Sequence, residues 1–515
     1  MAIISVQNAG SVGVNKDLSV HDLPLNAWTD CSNIRFLDGM AYQSYGYGEV
    51  YASPTFAPQY LTPVYVAGAR YWIYTTAAKT YAVTGAGAAV HTDITHATPR
   101  TGVVNQWTGC VLGGIPILNV GDISKVPMYW DLNLANKFVD LSNWTANTYC
   151  KALRSYKNFL VALNITKTTT AYPFMVKWSH PADPGSLPSS WDHTDATKDA
   201  GEFDLAEGQD PIVDGLQLRD SFMIYKENSI WRMDYTGGPF VFRFSKVMGT
   251  SGALNRNCIV EVDGFHVVLT GSDVIVHDGQ SASSILDKQA RRDLFQSIDS
   301  PNVGLCFVFK NPFINEVFIC YPSIGSSYCD KALVWNYVDK TVSYRSLPNI
   351  NHANFGPTEV GLDGNWNQDP APWASDLTSW NSPDYTPSTA RALMASSDVK
   401  LYLLDASASF NGSLPSAYLE RKGTSLGDAT KIKTVRAIRP RITGNTGDTV
   451  IVKIGFADDP YATPTYTSMT HTIGSTVQNG CFVSGRYIAI RFETGTAYQW
   501  RLDSYDLDVQ PQGDW

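Results

Sequence analysis

The sequence predicts an all-β protein: a β-propeller of six to seven irregular blades followed by a C-terminal β-sandwich. Three observations lead there. The composition is aromatic and turn-rich, with 12% Phe, Trp and Tyr, 40 Gly and 27 Pro, and only 17% charged residues. That is the balance of short strands joined by tight turns. Next, one hairpin unit occurs twice in succession: Asp220 to Tyr225, a polar turn and Ile230 to Asp234, then Asp263 to Thr270, a turn and Val274 to Asp278. Phe222 and Phe265 hold equivalent places 43 residues apart, the period of a propeller blade of about 40–45 residues. One such small sheet cannot bury both faces alone, whereas a ring of them can. Finally, beyond about residue 408 the texture shifts to longer runs that alternate apolar and polar residues.

Residues 1–60 are expected to contribute strands that join or close the propeller. Asp38-Gly39 is a hairpin signal between Ile34-Arg-Phe36 and Met40-Ala-Tyr42. The propeller is expected over 61–407. Its strands are carried by Val64-Tyr-Val66, Arg70 to Tyr74, Thr80 to Val83, Ile115 to Leu118, Val126 to Asp131, Phe159 to Leu163 and Phe174 to Trp178. After the central pair come Glu316 to Tyr321, Ala332 to Asn336 and Val399 to Asp405. One helix is expected, Ile285 to Ile298, because Leu286, Ala290, Leu294 and Ile298 recur at four-residue steps. Residues 349–391 break the pattern. They are rich in Asn, Pro, Asp and Ser, with Trp366, Trp373 and Trp380 evenly spaced. They read as a surface insertion whose tryptophans either pin it to the propeller or meet a partner protein. Residues 408–515 read as the antiparallel sandwich, carried by Tyr418 to Glu420, Lys431 to Ile438, Thr449 to Gly455, Arg486 to Phe492 and Tyr498 to Leu502.

The net charge of −9 argues against a sequence-independent grip on nucleic acid, which needs clustered Lys and Arg. The opening MAIISVQNAG lacks the basic and apolar regions of a secretory signal. No stretch is long and apolar enough to predict a membrane-spanning segment. Eight scattered Cys without paired spacing read as reduced thiols rather than a disulfide framework.

No catalytic, cofactor-binding or metal-ligating residue is expected. The nucleophile elbow G-x-S-x-G, the zinc motif H-E-x-x-H and the phosphate loop G-x-x-x-x-G-K-[ST] are missing. His266 and His277 read as strand residues rather than ligands. The unusual charge cluster is 183–214, with Asp183, Asp192, Asp195, Asp199, Glu202, Asp204, Glu207, Asp210 and Asp214 against one base, Lys198. It reads as a solvated loop, as a surface facing DNA or a basic partner, or as a calcium or glycosidase carboxylate site. The D-x-D-x-D-G calcium loop is absent. Its counterpart is Lys431, Lys433, Arg436, Arg439 and Arg441, which read as a basic strand edge, either solubilising or meeting an acidic neighbour. Asp192, Asp195, Asp199, Glu202 and Asp204, with those five bases, are the candidate channel or interface residues.

Gly13-Val-Asn, Leu23-Pro24, Trp28, Asn33-Ile-Arg-Phe36 and the Asp38-Gly39 turn resemble, in this order, the opening of tail proteins of short-tailed phages. Lys226 to Met233, Gly237 to Phe244, Gly252-Ala-Leu254 and Val260 to Gly264 resemble runs of podovirus tail nozzle or hub proteins. The resemblance covers roughly residues 10–50 and 210–300, and the C-terminal module loosely. It implies a structural virion protein without enzyme activity or cofactor. Such a protein forms a ring of about six copies beneath the portal and its adaptor, prolongs the DNA ejection channel and supports tail fibres or spikes. Double-stranded DNA would pass without specific binding. The implied place is the virion tail, assembled in the host cytoplasm. The rival class is a tail-associated or cellular propeller that hydrolyses or binds glycans, although the sialidase-type S-x-D-x-G-x-T-W repeat is not found.

Overall fold

The computed structural model describes residues 2–66, 69–84, 90–238, 240–358 and 390–514. Short antiparallel sheets dominate it. Five consecutive four-stranded sheets cover 60–93, 108–140, 148–204, 212–248 and 259–284, each pairing its strands in sequence order. A seven-stranded sheet follows and supplies two more blades. Its strand Val342–Pro357 pairs with Cys329–Asn336 through its first half and with Ala390–Ser396 through its second. Between the halves Asn349 takes a left-handed φ of 49°, so one strand closes blade 6 and opens blade 7. Lys400–Leu404 then pairs with Tyr47–Glu49 from near the N-terminus, which completes blade 7.

The first strand of each blade packs against the first strand of the next, from Tyr60–Val66 round to Val342–Pro357 and back to Tyr60–Val66. The fold is therefore a closed seven-bladed propeller. Its core is divided into wedges. One cluster lies between blades 3 and 4, with Tyr156, Val161, Phe222 and Ile224, and another between blades 4 and 5, with Met223, Tyr225, Val268 and Ile275. Because each sheet is covered on both faces, its middle strands lose the alternation of a half-exposed sheet; Glu316–Tyr321 is buried at all six positions.

The sandwich stacks two sheets. One joins Ala2–Val6, Ile34–Leu37, Met40–Gln43, Trp500–Asp514, Lys431–Gly444 and Asn479–Gly485. The other joins Asp30–Ser32, Tyr418–Thr424, Tyr487–Thr494, Thr449–Ala457 and Thr465–Thr472. The first four strands of the chain thus belong to the sandwich, contrary to the placement expected from sequence; within 1–60 the closing strand Tyr47–Glu49 pairs in a blade, and Tyr60 begins blade 1. The reason is burial. Val6, Trp28, Ile34 and Phe36 direct their apolar surface into one cluster with Val435, Ile490 and Leu507 of the C-terminal strands. The Asp38-Gly39 hairpin has φ of 52° and 76°, as a two-residue type I′ turn requires.

The insertion is shorter at its flanks than expected, since 349–357 and 390–391 are strand residues. Trp366, Trp373 and Trp380 lie outside the described residues. The helix is Arg291–Ser297 only. Leu286, Ala290, Leu294 and Ile298 are all buried, but Lys288 at φ 57°, between the first two of them, keeps the helix from starting before Arg291.

Candidate functional site

Charged and polar groups converge at four places: the propeller hub, the joint between propeller and sandwich, the outer rim of blade 3 and the wedge between blades 4 and 5. At the hub, Arg154 of the third inner strand forms a two-pronged pair with Asp214 of the fourth, at 2.8 and 2.6 Å. Arg154 also donates to Asn257 Oδ1 at 3.0 Å and to the Gly109 carbonyl at 3.1 Å. The Asn257 backbone N–H reaches Asp214 at 3.0 Å, and its amide reaches the Trp107 carbonyl at 3.1 Å. Tyr60 of blade 1 lies 4.4 Å from the His352 ring of blade 7, which stacks at 5.3 Å on Phe307 of blade 6. All seven blades contribute a group to this hub, blade 2 through the Gly109 and Trp107 carbonyls. Burial opposes the Arg154 charge, but Asp214 outweighs it and holds the guanidinium protonated. Burial, with Arg154 nearby, pushes the His352 imidazole down to about 3.

Over the hub, on the face where chain segments enter the inner strands, lies an open depression of about 730 Å³. Arg256 and Lys151 line it among Asn105, Gln106, Pro211 and Leu254. Arg256 Nη1 donates to the carbonyls of Gln106 at 2.6 Å and Lys151 at 3.0 Å. Burial lowers its pKa, and the Asp214 charge opposes that shift.

At the joint, Arg35 of the sandwich donates to Glu316 at 2.7 and 3.3 Å and to Asp405 at 3.0 Å. Arg345 donates to the other Asp405 oxygen at 2.8 Å. All four side chains are buried. Burial raises the Glu316 pKa despite Arg35, whereas for Asp405 the two guanidinium groups overcome burial and lower it. The neighbouring motif residues act here too. Asn33 receives the Ser346 N–H at 2.9 Å and donates to the Ser416 carbonyl at 2.9 Å, and the Val14 N–H donates to the Val342 carbonyl at 3.0 Å. Sequence reading missed Glu316, Arg345 and Asp405. The available signal was charge inside otherwise apolar strand runs.

A fourth polar chain pins blade 4 to blade 5. The Gly279 N–H donates to His277 Nδ1 at 3.2 Å, and His277 Nε2 donates to Tyr225 Oη at 2.6 Å. Tyr225 donates to His266 Nδ1 at 2.6 Å, and His266 Nε2 donates to the Gln217 carbonyl at 2.9 Å. This order fixes both tautomers as neutral. Burial pushes His266 down to about 3 and His277 to about 4.

The acidic candidates separate into two groups. Glu202, on the outermost strand of blade 3, is neutralised by Lys167 at 2.6 Å and Lys177 at 3.3 Å. Asp210 pairs with Lys226 at 3.0 Å, and Asp214 belongs to the hub. Asp192, Asp195 and Asp199 sit on the loop 179–200, and exposed Asp204 ends the outer strand. Asp192 Oδ1 accepts from Thr194 and Asp195 Oδ1 from Thr197, each through N–H at 2.9 Å and hydroxyl at 2.7 Å. These contacts lower both carboxyl pKa values. The structure brings no metal site to them: among the described residues no group of three His, Cys, Asp or Glu is placed to hold an ion.

The basic strand is not an edge. Lys431–Gly444 pairs with Trp500–Asp514 on one side and Asn479–Gly485 on the other. Its cations project from a central strand because one face of the sheet is left uncovered. Lys433 turns inward and donates to the carbonyls of Ser425 at 2.6 Å and Arg486 at 3.1 Å. Arg441 pairs with Asp506 at 2.8 Å, Arg439 with Gln478 at 3.0 Å and Lys431 with Asp428 at 3.8 Å. Arg436 is half-buried and has no carboxylate partner among the described residues. No ion pair among the described residues joins this strand to 183–214. All eight Cys are free. No helix among the described residues is long and apolar enough to cross a membrane.

No family model and no curated protein matches the chain. Among solved structures it is similar to PorZ, a bacterial surface component of the type-IX secretion system of Porphyromonas gingivalis, at 10% identity and a TM-score of 0.39, over 82% of this chain and 46% of that one. It is also similar to the extracellular domain of the one-component system BT4673 of B. thetaiotaomicron, at 8% identity and a TM-score of 0.41, over 89% of this chain and 61% of that one. This chain thus spans less than two thirds of either.

Proposed function

We propose that the chain is the subunit of a tail nozzle or hub ring of a short-tailed phage. About six copies would prolong the DNA ejection channel below the portal and adaptor and support fibres or spikes. One observation carries the reading. The opening residues that resemble podovirus tail proteins are those that join the two modules. Trp28 fills the sandwich core, Asn33 bonds Ser346 and Ser416, and Arg35 enters the buried charge cluster. The resemblance therefore concerns how a rigid two-part subunit is built, which suits a ring that withstands the passage of DNA. The acidic balance of −9 suits a conduit that must not hold phosphate. Double-stranded DNA is cargo, not ligand, and the virion tail, assembled in the host cytoplasm, is the place of action.

Negative-stain imaging of the purified full-length chain tests this. A ring with a central hole is expected. A compact monomer that binds or cleaves polysaccharide would replace the nozzle with the glycan-directed reading.

A further inference from the structure

We propose that the depression over the hub receives the acidic rim loop of a second copy, Arg256 and Lys151 of one chain meeting Asp192, Asp195 and Asp199 of the next. The inference deepens the ring reading and rests on it. Two sets of unspent charge support it. Arg256 uses only Nη1 within the chain; among the described residues Nε and Nη2 have no partner, and Lys151 is exposed without an ion pair. The cations of the basic strand, by contrast, are almost all engaged within their own sandwich.

On the other side, the Asx turns of Asp192 and Asp195 occupy Oδ1 and leave Oδ2 without a partner among the described residues. Asp199 Oδ2 has only His180 Nδ1, at 3.9 Å, and about half of its side chain stays in solvent. The turns hold these carboxylates in place before any contact, which reduces the ordering cost of binding.

Topology makes the contact intermolecular. The strand Thr170–Trp178 starts beside the depression, whose lining includes Ala171 and Pro173, and ends on the opposite face. The loop 179–200 therefore leaves the far side of the propeller, one strand-length away, roughly 25 Å. That exceeds the Debye length of about 8 Å at physiological salt. A chain cannot satisfy its own depression, but two unlike patches can make a heterologous contact between copies, which closes into a ring when its rotation closes. Charge pairing would set rotation and register between neighbours.

The test is assembly measured by sedimentation velocity on the full chain at low and physiological salt. Asp192→Asn, Asp195→Asn and Asp199→Asn together keep the Asx turns and remove the charge; they should weaken assembly about tenfold or more. Lys151→Glu with Arg256→Glu should do the same, and Lys151→Glu alone, at an exposed position, covers the case in which the double variant misfolds. Combining Lys151→Glu and Arg256→Glu with Asp192→Lys, Asp195→Lys and Asp199→Lys in one chain should restore assembly. A wild-type ring that forms equally well with every variant would overturn this contact and leave the nozzle standing. A wild-type chain that stays monomeric at all concentrations removes both.

Discussion

The hub and the joint both bury arginine against carboxylate, yet they solve the problem differently. At the hub, one Arg–Asp pair is surrounded by amide and carbonyl groups, and the three nitrogens of Arg154 all find acceptors. At the joint, two arginines share two acids, and Arg345 keeps Nε and Nη1 buried without a hydrogen-bond partner. The hub holds blades of one module together, whereas the joint holds two modules. A saturated pair is expected to be rigid and intolerant of change. An incompletely satisfied cluster is expected to be costlier and easier to replace, because buried ion pairs repay their desolvation only with full partnering.

The largest effect should follow Asp214→Asn, which leaves Arg154 buried and uncompensated. A loss of about 3–5 kcal/mol is expected, read as a lower denaturant midpoint. An unchanged midpoint would show that the Arg154–Asp214 pair does not hold the blades together. At the joint, the paired replacement Arg35→Met with Glu316→Leu should cost less than Asp214→Asn alone, since no charge except the Arg345–Asp405 pair stays behind. A greater cost than at the hub would reverse the comparison.

Acid should separate the propeller wedges before it affects the sandwich. His266, His277 and His352 have folded-state values of about 3, about 4 and about 3, below the 6.5 of the free imidazole. The unfolded chain therefore binds protons first. Stability from these groups is complete above about pH 6.5 and falls as pH drops toward 3–4, by roughly 3 kcal/mol or more in all. Denaturant melts at pH 7 and pH 4.5 check this. His266→Gln with His277→Gln should flatten the acid limb; an unchanged limb would assign it elsewhere.

Proteolysis sharpens the module boundary. The exposed segment 411–414 should be nicked first. The nicked chain should nevertheless run as one species in native gel filtration, because the sandwich includes Ala2–Val6 and Ile34–Leu37. Release of a free C-terminal fragment would contradict that pairing. The smallest effect is expected at the rim, where Asp192→Asn in the isolated chain should change stability by less than about 0.5 kcal/mol.

The sequence made the blades legible where a hairpin repeats itself, as at Phe222 and Phe265. It did not make blade 7 legible, because one strand there is shared with blade 6 and another comes from residues 47–49. Local periodicity carries no record of a partner 281 or 370 residues away, the separations that join Arg35 to Glu316 and Asp405. The basic strand misled for a simpler reason. Alternating cations mark any strand with one open face, central or edge, and hydrogen-bond partners on its two flanks are invisible in its own residues. Nor could the acidic run disclose that Glu202, Asp210 and Asp214 pair with internal cations at 2.6–3.3 Å while Asp192 has only the Thr194 N–H and hydroxyl and Asp199 only His180 at 3.9 Å.

Both modules are fastened by strands from opposite ends of the chain. Tyr47–Glu49 waits for Lys400–Leu404, and Ala2–Val6 pairs with residues up to Val509. During synthesis blade 7 cannot close until Lys400–Leu404 has emerged, and Ala2–Val6 has no strand to pair with until Tyr505–Val509 has. Each waits through some hundreds of residues of synthesis, at about 5–20 residues per second. Contacts of such long sequence separation form slowly. Closure of these distant strands therefore decides when the two modules become complete.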